Sequence, residues 1–573
     1  MTNDRGSMLH IIDTTGPGGA ETIFTQLAAY TQNAGFRSIA IIRGPGWVEQ
    51  ELSRLGIETR VIDCKGSFNL KFLRTLISII RTERVELIQS HLLGSAVYAG
   101  IAGLLTHTPV CSTFHGLVDV SPRERLRWAK FLIIQLATNR VIAVTEQLKD
   151  MLMAISTLSA QKVDVIPNGI DTEHYSPESN PSLRRELDLP ESALLVGCLG
   201  NVRKAKNYDL AIETLAELRK GGKDARLLIA GDDKNDLAER HRQYAQELGV
   251  AEYIVWLGFW RDARGFLNGI DVFLLSSSSE GQPLAVTQAM ATETPIVATL
   301  CGVEELVTHR KTALLASLGD AKQLAAYIGE LSENPQLRTT LTKAAQKHVR
   351  EKLSLKSMCD EYNAVYLHAL EGQGERPGLL SRYFQLMASN YGGKKGYLRS
   401  AWHQLTGSLS GGYLRYGRIP PNTERVVFVC KGNVCRSAAA EHAFRKYCTL
   451  PTASIGLDTD TGLEANPRIT QVARTMGLDM STHLTTAKDD FVAKDTDLFV
   501  CMEPIHIAQV KKAYNTRNIV LLGTFGQPKR VYIHDPYSST DAYAAFCTNY
   551  IYRAVKTLSE QLEKRTVLTR ATD

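Results

Sequence analysis

The sequence predicts an α/β protein built from parallel sheets whose strands are joined by crossover helices. From Met8 onward, short runs of β-branched residues alternate with longer stretches of helical periodicity, which is typical of parallel sheets with buried strands. A chain of 573 residues is too long for one hydrophobic core and indicates three or four domains. We therefore expect several α/β domains in series.

Two sets of strands are predicted in the first two-thirds of the chain, one in each of two Rossmann-like halves. The first half, residues 8–185, has predicted strands at Leu9–Ile12, Ser38–Ile42, Leu87–Ser90, Val141–Val144 and Val163–Ile166. The second half, residues 186–350, has predicted strands at Leu194–Leu199, Arg226–Ala230, Ile254–Leu257, Val272–Leu275 and Pro295–Ala298. Ligands of such sheets bind beyond the carboxyl ends of the strands, so the loops that follow these runs are the expected sites of chemistry.

The overall composition argues against several classes of protein. Hydrophobic residues make up 44% and charged residues 22% of the chain, which is ordinary for a soluble protein, and a net charge of +6 does not indicate nucleic acid binding. Ten cysteines without a metal-type Cys-x-x-Cys pair indicate a reducing compartment. The N-terminus lacks the form of a signal peptide, and the apolar stretches are too short to span a membrane. We expect a cytoplasmic protein without a bound metal or cofactor.

The most specific chemical motif is C-K-G-N-V-C-R-S, from Cys430 to Ser437. It lies between the apolar run Val426–Val429 and a helix-forming stretch, so its backbone N–H groups can converge on an anion at the start of a helix. The same field favours the thiolate of Cys430, the nucleophilic form. Arg436 offers a planar pair of donors to phosphoryl oxygens, and Ser437 can hydrogen-bond the sulfur when it becomes a leaving group. Asn433 is expected to brace the loop through side-chain to backbone bonds.

A proton donor for the leaving oxygen is predicted in the segment H-D-P-Y, residues 534–537. Proline fixes the loop after Asp535, and Tyr537 can form an aromatic wall beside a phenyl ring. From about Arg425 to Leu562 the chain resembles the low-molecular-weight protein tyrosine phosphatases, whose signature is C-x-G-N-x-C-R-S with a late D-P-Y. The resemblance implies an α/β domain over 425–565 with a four-stranded parallel sheet. It makes Cys430 the nucleophile, Arg436 the phosphate ligand and Asp535 the general acid.

Other parts of the segment agree with this resemblance. The motifs are Ser454-Ile455-Gly456, Gly477-Leu478-Asp479, His483 and Cys501-Met502-Glu503. The phosphate-binding loop would be completed by Lys431, Gly432, Asn433, Val434, Cys435 and Ser437. Cys435 matches the family's second loop cysteine, which can trap Cys430 as a reversible disulfide.

Two positions of the loop depart from the family pattern. Ala438 replaces a proline, and Lys431 stands where an apolar residue is common. The alternatives are that Cys430 and Cys435 are merely buried cysteines, or that the domain is an arsenate reductase. The latter needs further cysteines to pass a disulfide outward, and Cys501 has no cysteine partner within the next dozen residues.

The loops of the two Rossmann-like halves carry residues suited to a sugar and a phosphate. They are Gly18-Gly19-Ala20-Glu21, Phe114-His115-Gly116, Pro167-Asn168-Gly169-Ile170-Asp171, Gly200 to Lys206, and Ser279 to Leu284 with Gln288. Glycines let backbone amides approach a ligand closely, and cationic side chains neutralise a diphosphate. In this order the motifs resemble the retaining glycosyltransferases of family 4, with the two-domain GT-B fold, over about Met8 to Glu371.

The resemblance implies that the cleft between the halves holds a nucleotide sugar. Arg203 and Lys206 would hold the diphosphate, and Glu280 the sugar hydroxyls. His115 would contact the transferred sugar near the reaction centre. The remaining donor-binding residues would be Gly18, Gly19, Gly281, Gln282, Pro283, Leu284 and Gln288. Cationic side chains and helix N-termini would stabilise the leaving diphosphate without a metal.

Two positions also depart from the glycosyltransferase pattern. The usual Glu-x7-Glu is Glu280-x7-Gln288, and Asn201 replaces an arginine that commonly follows the glycine at Gly200. Gln288 can still hydrogen-bond a ribose hydroxyl, but without charge. Arg203 is the substitute that we expect for the missing arginine. The alternative is a sugar-binding protein that has lost catalysis.

The region between the two resemblances has the composition of a linker. Apolar residues at helical spacing in 351–371 predict a helix, which in the GT-B fold returns to the first half. Residues 372–424 are rich in glycine but also interleave basic and aromatic residues, among them Lys394, Lys395, Arg399 and Trp402. This stretch would either lie on an anionic bilayer, peripheral to the inner membrane, or pack on a catalytic domain.

The two resemblances together suggest bacterial exopolysaccharide or capsule assembly. The expected partners are a nucleotide sugar, a saccharide or lipid-linked saccharide acceptor, and a tyrosine-phosphorylated protein such as a polysaccharide-assembly kinase. The competing hypothesis is a protein in which one half only binds or regulates.

Overall fold

The computed structural model describes all residues except 1–5, 65–67, 117–123, 125, 157, 179, 181, 372–378, 411–413, 527–528 and 571–573. The chain divides into two compact units. One comprises Met1–Leu126, Ala137–Asp150 and Val163–Glu375, and the other comprises Arg127–Leu136, Met151–Lys162 and Arg376–Asp573.

The first unit contains two parallel sheets, which confirms the predicted pair of Rossmann-like halves. The seven-stranded sheet has the order β3-β2-β1-β4-β5-β6-β7, and the six-stranded sheet has the order β10-β9-β8-β11-β12-β13. Their strands are β1 (Ser7–Ile12), β2 (Arg37–Ile42), β3 (Glu58–Val61), β4 (Val85–His91), β5 (Val110–Phe114), β6 (Arg140–Ala143), β7 (Val163–Val165), β8 (Leu194–Leu199), β9 (Ala225–Ala230), β10 (Ile254–Gly258), β11 (Val272–Leu275), β12 (Ile296–Thr299) and β13 (Leu314–Ala316).

Most strands found by sequence are buried in the sheets, although the edge strands β7 and β10 are only partly buried. All six residues of β1 and all four of β11 are buried, so these strands read as continuous apolar runs. The edge strand β3 was missed because it is only partly buried and carries Glu58 and Arg60, which pair with each other. The edge strand β13 was missed because three residues are too few to give a pattern.

Helices connect the strands throughout the described residues. They are α1 (Gly19–Asn33), α2 (Trp47–Arg54), α3 (Leu70–Thr82), α4 (Leu93–Thr106), α5 (Arg127–Ala137), α6 (Glu146–Ile155), α7 (Ser182–Glu186), α8 (Tyr208–Lys220), α9 (Asp236–Glu247), α10 (Ala263–Gly269), α11 (Leu284–Ala291), α12 (Ala321–Glu333), α13 (Pro335–Lys352), α14 (Leu355–Glu371), α15 (Leu379–Tyr391), α16 (Lys394–Ser410), α17 (Arg436–Tyr447), α18 (Pro467–Thr475), α19 (Pro504–Tyr514) and α20 (Asp541–Arg570). Among the described residues, no helix combines the length and apolar composition needed to cross a membrane.

Helix α14 packs on the first of the two sheets. Met358, Tyr362 and Tyr366 share a buried cluster with Met8 of β1, and the Tyr362 hydroxyl lies 3.1 Å from Thr113 Oγ1 of β5. The helix that follows the second half thus returns to the first half.

The second unit contains a four-stranded parallel sheet of order β15-β14-β16-β17. Its strands are β14 (Arg425–Cys430), β15 (Thr452–Gly456), β16 (Asp497–Cys501) and β17 (Ile519–Leu521). The central pair is buried, with only Arg425 at the start of β14 partly exposed. The predicted four-stranded domain is confirmed, and Cys430 lies at the carboxyl end of a central strand.

The stretch predicted as a linker forms the two helices α15 and α16 in this second unit, while 372–378 and 411–413 lie outside the described residues. The Arg530 guanidinium lies 5.1 Å from the centre of the Tyr391 ring and donates to the Asn390 carbonyl over 3.2 Å. The His403 ring stacks on Tyr532, with 5.5 Å between centroids. Both helices therefore contact the domain that follows them.

Candidate active sites

The cysteine loop surrounds the Cys430 sulfur with hydrogen-bonding groups. The loop runs from the end of β14 to Arg436, the first residue of α17. The backbone N–H of Asn433 donates to Cys430 Sγ over 3.2 Å, and Ser437 Oγ lies 3.0 Å from the same sulfur. Cys430 is buried. Donors placed in this way stabilise a thiolate at the base of an anion-binding loop.

Asn433 braces the loop, but mainly through hydroxyl groups rather than through the expected side-chain to backbone bonds. Its φ of 52° lies in the left-handed region, which asparagine tolerates better than most residues. Its Nδ2 donates to Ser437 Oγ over 2.9 Å and to Ser454 Oγ over 2.8 Å. Its Oδ1 accepts from the backbone N–H of Thr486 over 2.9 Å. The loop is therefore braced before any ligand binds.

Arg436 connects the cysteine loop to the predicted general acid. Its side chain is 1% exposed, and Nη2 donates to Asp535 Oδ2 over 2.8 Å. Nη1 donates to the Ile533 carbonyl over 2.8 Å and also pairs with Glu503. Nε has no hydrogen-bond partner among the described residues. A buried unpaired donor is costly, and a phosphoryl oxygen in the loop would satisfy it.

Glu503 is a functional residue whose role the sequence reasoning missed, although its motif was noted. Burial opposes the positive charge on Arg436, but Asp535 and Glu503 outweigh it and raise the pKa of Arg436 above its ordinary value. Glu503 thus pairs with Nη1 while Asp535 pairs with Nη2. The C-M-E motif directly after a buried strand is the signal that pointed to this position.

Two other cysteines of this domain, Cys435 and Cys501, are buried. Burial raises the pKa of the Cys435 thiol, and Cys435 is not disulfide-bonded in this structure. Cys501 is completely buried among Val427, Val429 and Phe499, and burial raises its pKa as well. This position does not suit a thiol that must pass a disulfide outward, so the structure gives the arsenate reductase alternative no support.

The loop of Asp535 is covered by the turn between α15 and α16. Gly392 at this turn has a φ of +68°, and a Cβ there would lie 2.5 Å from the His534 ring. His534 Nδ1 lies 2.8 Å from the Tyr532 hydroxyl. Tyr532 also raises the pKa of Arg399 of α16 above its ordinary value. Sequence reasoning noted the basic and aromatic residues of this stretch but did not predict their partners.

In the first unit, Lys206 and Glu280 form a close pair. Lys206 Nζ lies 2.8 Å from Glu280 Oε1, and the side chains are only 19% and 14% exposed. Ser277 Oγ donates to the same carboxylate oxygen over 2.6 Å. Arg203, which was predicted to assist, is exposed. The structure thus joins two of the predicted donor-binding residues and leaves the third at the surface.

Predicted residues from the two halves of the first unit meet around the 281–284 turn. A Cβ at Gly281 would lie 2.6 Å from the His115 carbonyl, so only glycine fits there without a shift. A Cβ at Gly19 would lie 3.6 Å from Leu284. Gln282 accepts from the Asn168 N–H over 2.5 Å and donates to the Asn168 carbonyl over 3.1 Å. Gln282 therefore clamps the predicted 167–171 loop.

His115 has a buried histidine partner that sequence reasoning missed. His115 Nε2 lies 2.8 Å from His91 Nδ1, and the rings stack with 5.1 Å between centroids. Burial lowers the pKa of His115 to about 3 and that of His91 well below its ordinary value. Both rings are therefore neutral at pH 7, and one must donate to the other. Because β4 and β5 are adjacent, two histidines at their carboxyl ends were the signal for this pair.

Gln288, at the position where the family pattern has glutamate, contacts the first half. Gln288 Nε2 donates to the Tyr175 hydroxyl over 2.8 Å. Burial raises the pKa of Tyr175 to about 12, so the hydroxyl stays protonated at pH 7.

Three stretches of the chain match known protein families. Residues 17–174 match the family described as Glycosyltransferase Family 4, and residues 193–334 match Glycosyl transferases group 1. Residues 425–568 match the low molecular weight phosphotyrosine protein phosphatases. The chain joins a family 4 glycosyltransferase region to a low-molecular-weight phosphatase domain. Both predicted family memberships are confirmed.

The glycosyltransferase region is similar to enzymes of bacterial surface polysaccharides. It is 23% identical to the UDP-Gal:alpha-D-GlcNAc-diphosphoundecaprenol alpha-1,3-galactosyltransferase of Escherichia coli, over 53% of this chain and 81% of that protein. It is also 23% identical to the capsular polysaccharide biosynthesis glycosyltransferase CapM of Staphylococcus aureus, over 52% of this chain and 80% of that protein.

Solved structures confirm the GT-B fold. A glycosyltransferase from Rickettsia africae superposes with a TM-score of 0.59 at 20% identity, over 64% of this chain and 99% of that chain. Anabaena HepE in complex with UDP and glucose gives a TM-score of 0.56 at 20% identity, over 64% of this chain and 100% of that chain.

Proposed function

We propose that the glycosyltransferase region transfers a sugar from a nucleotide donor, with retention, to a saccharide or lipid-linked saccharide during exopolysaccharide or capsule assembly. The observation that carries the proposal is the Lys206–Glu280 pair beside the 281–284 turn. Lys206 supplies a cation for a diphosphate, and Glu280 supplies acceptors for sugar hydroxyls. The Escherichia coli relative is named for galactose transfer to a diphosphoundecaprenol-linked GlcNAc, the Staphylococcus aureus relative is named for capsular polysaccharide biosynthesis, and HepE was solved with UDP and glucose.

Helix α11 adds to the donor site through its N-terminus. Pro283 is the N-cap residue and Leu284 the first helical residue, so free backbone N–H groups point toward the turn and favour a phosphate. Together with Lys206, they can stabilise the leaving diphosphate through charge alone. Lys395 and Trp402 on α16 are exposed. We therefore include peripheral contact with an anionic bilayer in the same proposal.

Gln288→Glu should keep or raise donor affinity. The Tyr175 hydroxyl can donate to the new carboxylate, and the added charge strengthens a hydrogen bond to a ribose hydroxyl. Calorimetric titration of the nucleotide product measures the effect. The matched control is Gln282→Glu, which repels the Asn168 carbonyl and should lower thermal stability. A large loss of affinity in Gln288→Glu would show that this position does not face the ribose.

We further propose that the phosphatase domain hydrolyses phosphotyrosine through a phosphocysteine intermediate. The Cys430 thiolate attacks phosphorus, the P–O bond to the phenol breaks, and Asp535 gives its proton to the leaving oxygen. Water then attacks phosphorus, Asp535 takes its proton, and Cys430 leaves as a thiolate that Ser437 hydrogen-bonds. Arg436 holds the equatorial oxygens throughout. A phosphorylated assembly kinase is the substrate that we propose.

Asp535→Asn should slow hydrolysis most for phenols that are poor leaving groups, by roughly 10²- to 10⁴-fold. Asparagine still accepts from Arg436 but cannot donate a proton to the phenolate. Rates for a series of aryl phosphates with phenols of rising pKa measure this dependence. Glu503→Gln is the matched control, because it weakens a contact to Arg436 but leaves the proton donor Asp535 in place. It should weaken phosphate binding equally for all phenols, and a uniform loss in Asp535→Asn would exclude the acid role.

A screen of nucleotide sugars by thermal shift, followed by turnover of the best ligand, tests whether the glycosyltransferase region is active. A donor that stabilises the protein and is turned over supports the enzyme. Stabilisation without turnover would favour the alternative, a region that only binds sugar nucleotides.

A further inference from the structure

Three side chains of the phosphatase domain converge behind the cysteine loop without a part in the proposed hydrolysis. Glu441 and His442 are neighbours on α17, and His483 comes from the segment between α18 and β16. Each offers one possible ligand atom, and the three atoms lie within 4.8 Å of one another. Glu441 and His483 are buried, whereas His442 is partly exposed. The cluster is thus built into the domain and can be reached from solvent.

The hydrogen bonds of the two histidines fix where their protons lie. His442 Nδ1 is 3.0 Å from the Ala438 carbonyl oxygen, and His483 Nε2 is 2.8 Å from the Asn433 carbonyl oxygen. A carbonyl oxygen only accepts, so both of these nitrogens carry hydrogen. In the neutral rings, the lone pairs are then on His442 Nε2 and His483 Nδ1.

The lone pair of His483 Nδ1 faces the carboxylate of Glu441. His483 Nδ1 lies 3.9 Å from Glu441 Oε2, which also accepts from Ser454 Oγ over 2.6 Å. An imidazole lone pair and a carboxylate oxygen repel each other unless a positive charge lies nearby. Arg445 pairs with the other carboxylate oxygen of Glu441, Oε1, so Oε2 is the oxygen that can share a metal ion with the ring.

The surroundings match those of a metal ligand set. Histidines that bind metals donate their other ring N–H to a backbone carbonyl or a carboxylate, and ligating carboxylates are themselves hydrogen-bonded. Two imidazole nitrogens and one carboxylate oxygen, with a fourth position for water, form the donor set of open zinc sites. Tetrahedral zinc sets its ligand atoms about 3.4 Å apart. The partly exposed His442 can move to close that gap.

We propose that Glu441, His442 and His483 bind a divalent transition metal, with zinc as the best match to the donors. Sequence reasoning did not predict this site, because Glu441 and His442 are adjacent while His483 lies in a distant segment.

The metal site is linked to the cysteine loop through Asn433. Its carbonyl accepts from His483, and its Nδ2 donates to the same Ser454 hydroxyl that binds Glu441. A bound ion would fix both contacts. We therefore expect it to stabilise the folded loop rather than to take part in phosphoryl transfer.

The test uses the full chain in a Cys430→Ser background, which removes the thiolate that would itself bind zinc. Zinc chloride is titrated by calorimetry into this protein, into the same protein with His442→Ala, and into the same protein with His368→Ala. His368 is an exposed helical histidine outside the cluster and is the matched control. We expect one saturable site that His442→Ala weakens at least roughly tenfold and that His368→Ala leaves unchanged.

Thermal unfolding gives a second readout. Zinc should raise the Tm of the Cys430→Ser protein and of the His368→Ala variant, but not of the His442→Ala variant. His442→Gln repeats the test with a larger polar side chain, in case alanine disturbs the helix. Equal zinc affinity and an equal Tm shift in all variants would overturn the proposal. So would the absence of any saturable binding.

Discussion

Replacing Cys430 by serine should abolish hydrolysis of an aryl phosphate while the domain stays folded. Serine places an oxygen where the sulfur now accepts from the Asn433 N–H. A hydroxyl there stays protonated and is a poor nucleophile, whereas the loop stabilises a thiolate. The expected loss is on the order of 10⁴-fold or more, as for removal of the nucleophile in other covalent enzymes. Turnover of p-nitrophenyl phosphate measures it, and circular dichroism checks the fold.

Cys448→Ser is the control for this substitution. Cys448 is also a buried cysteine of the domain but follows the end of α17, away from the loop. It should retain full activity. Full activity of the Cys430→Ser variant would refute the phosphocysteine mechanism.

Lys206→Ala and Glu280→Ala should each reduce sugar transfer more than about tenfold, since each removes a charged contact worth about 1.5 to 3 kcal/mol. Each also leaves the other member of a largely buried pair uncompensated, so thermal stability should fall. The double variant should recover stability but not transfer. This divergence separates a ligand-binding role from a purely structural ion pair.

Lys204→Ala is the matched control, because Lys204 is an exposed lysine of the same loop. Its transfer rate should match that of the unaltered protein. Transfer measured with the donor found by thermal shift decides the outcome. Undiminished transfer by Lys206→Ala would remove the 200–206 loop from the donor site.

The sequence was most informative where a pattern is local. The Val426–Val429 run, the cysteine loop and the start of α17 follow one another directly, so their order alone predicted a strand, an anion-binding loop and a helix. Strands such as β8 and β11 were equally clear because burial on both faces favours apolar residues. Edge strands such as β3 and β13 lack that signature, since they are short or partly exposed.

Contacts between distant segments were the part that could not be predicted. Glu503 and Arg436 are 67 positions apart in sequence, and no rule of sequence spacing predicts such a pair. The same holds for His403 and Tyr532. The His91–His115 pair could have been predicted from the sequence, because adjacent parallel strands bring their carboxyl ends together.

The packing of α15 and α16 extends the phosphatase-family domain toward the N-terminus of the chain. The match to the family begins at residue 425, yet Gly392 abuts His534 and His403 covers Tyr532, both close in sequence to Asp535. A shortened protein that starts at Arg425 would keep the sheet and the cysteine loop but lose this cover. We therefore expect that a stable phosphatase-family domain has to begin before Leu379, so that α15 and α16 are included.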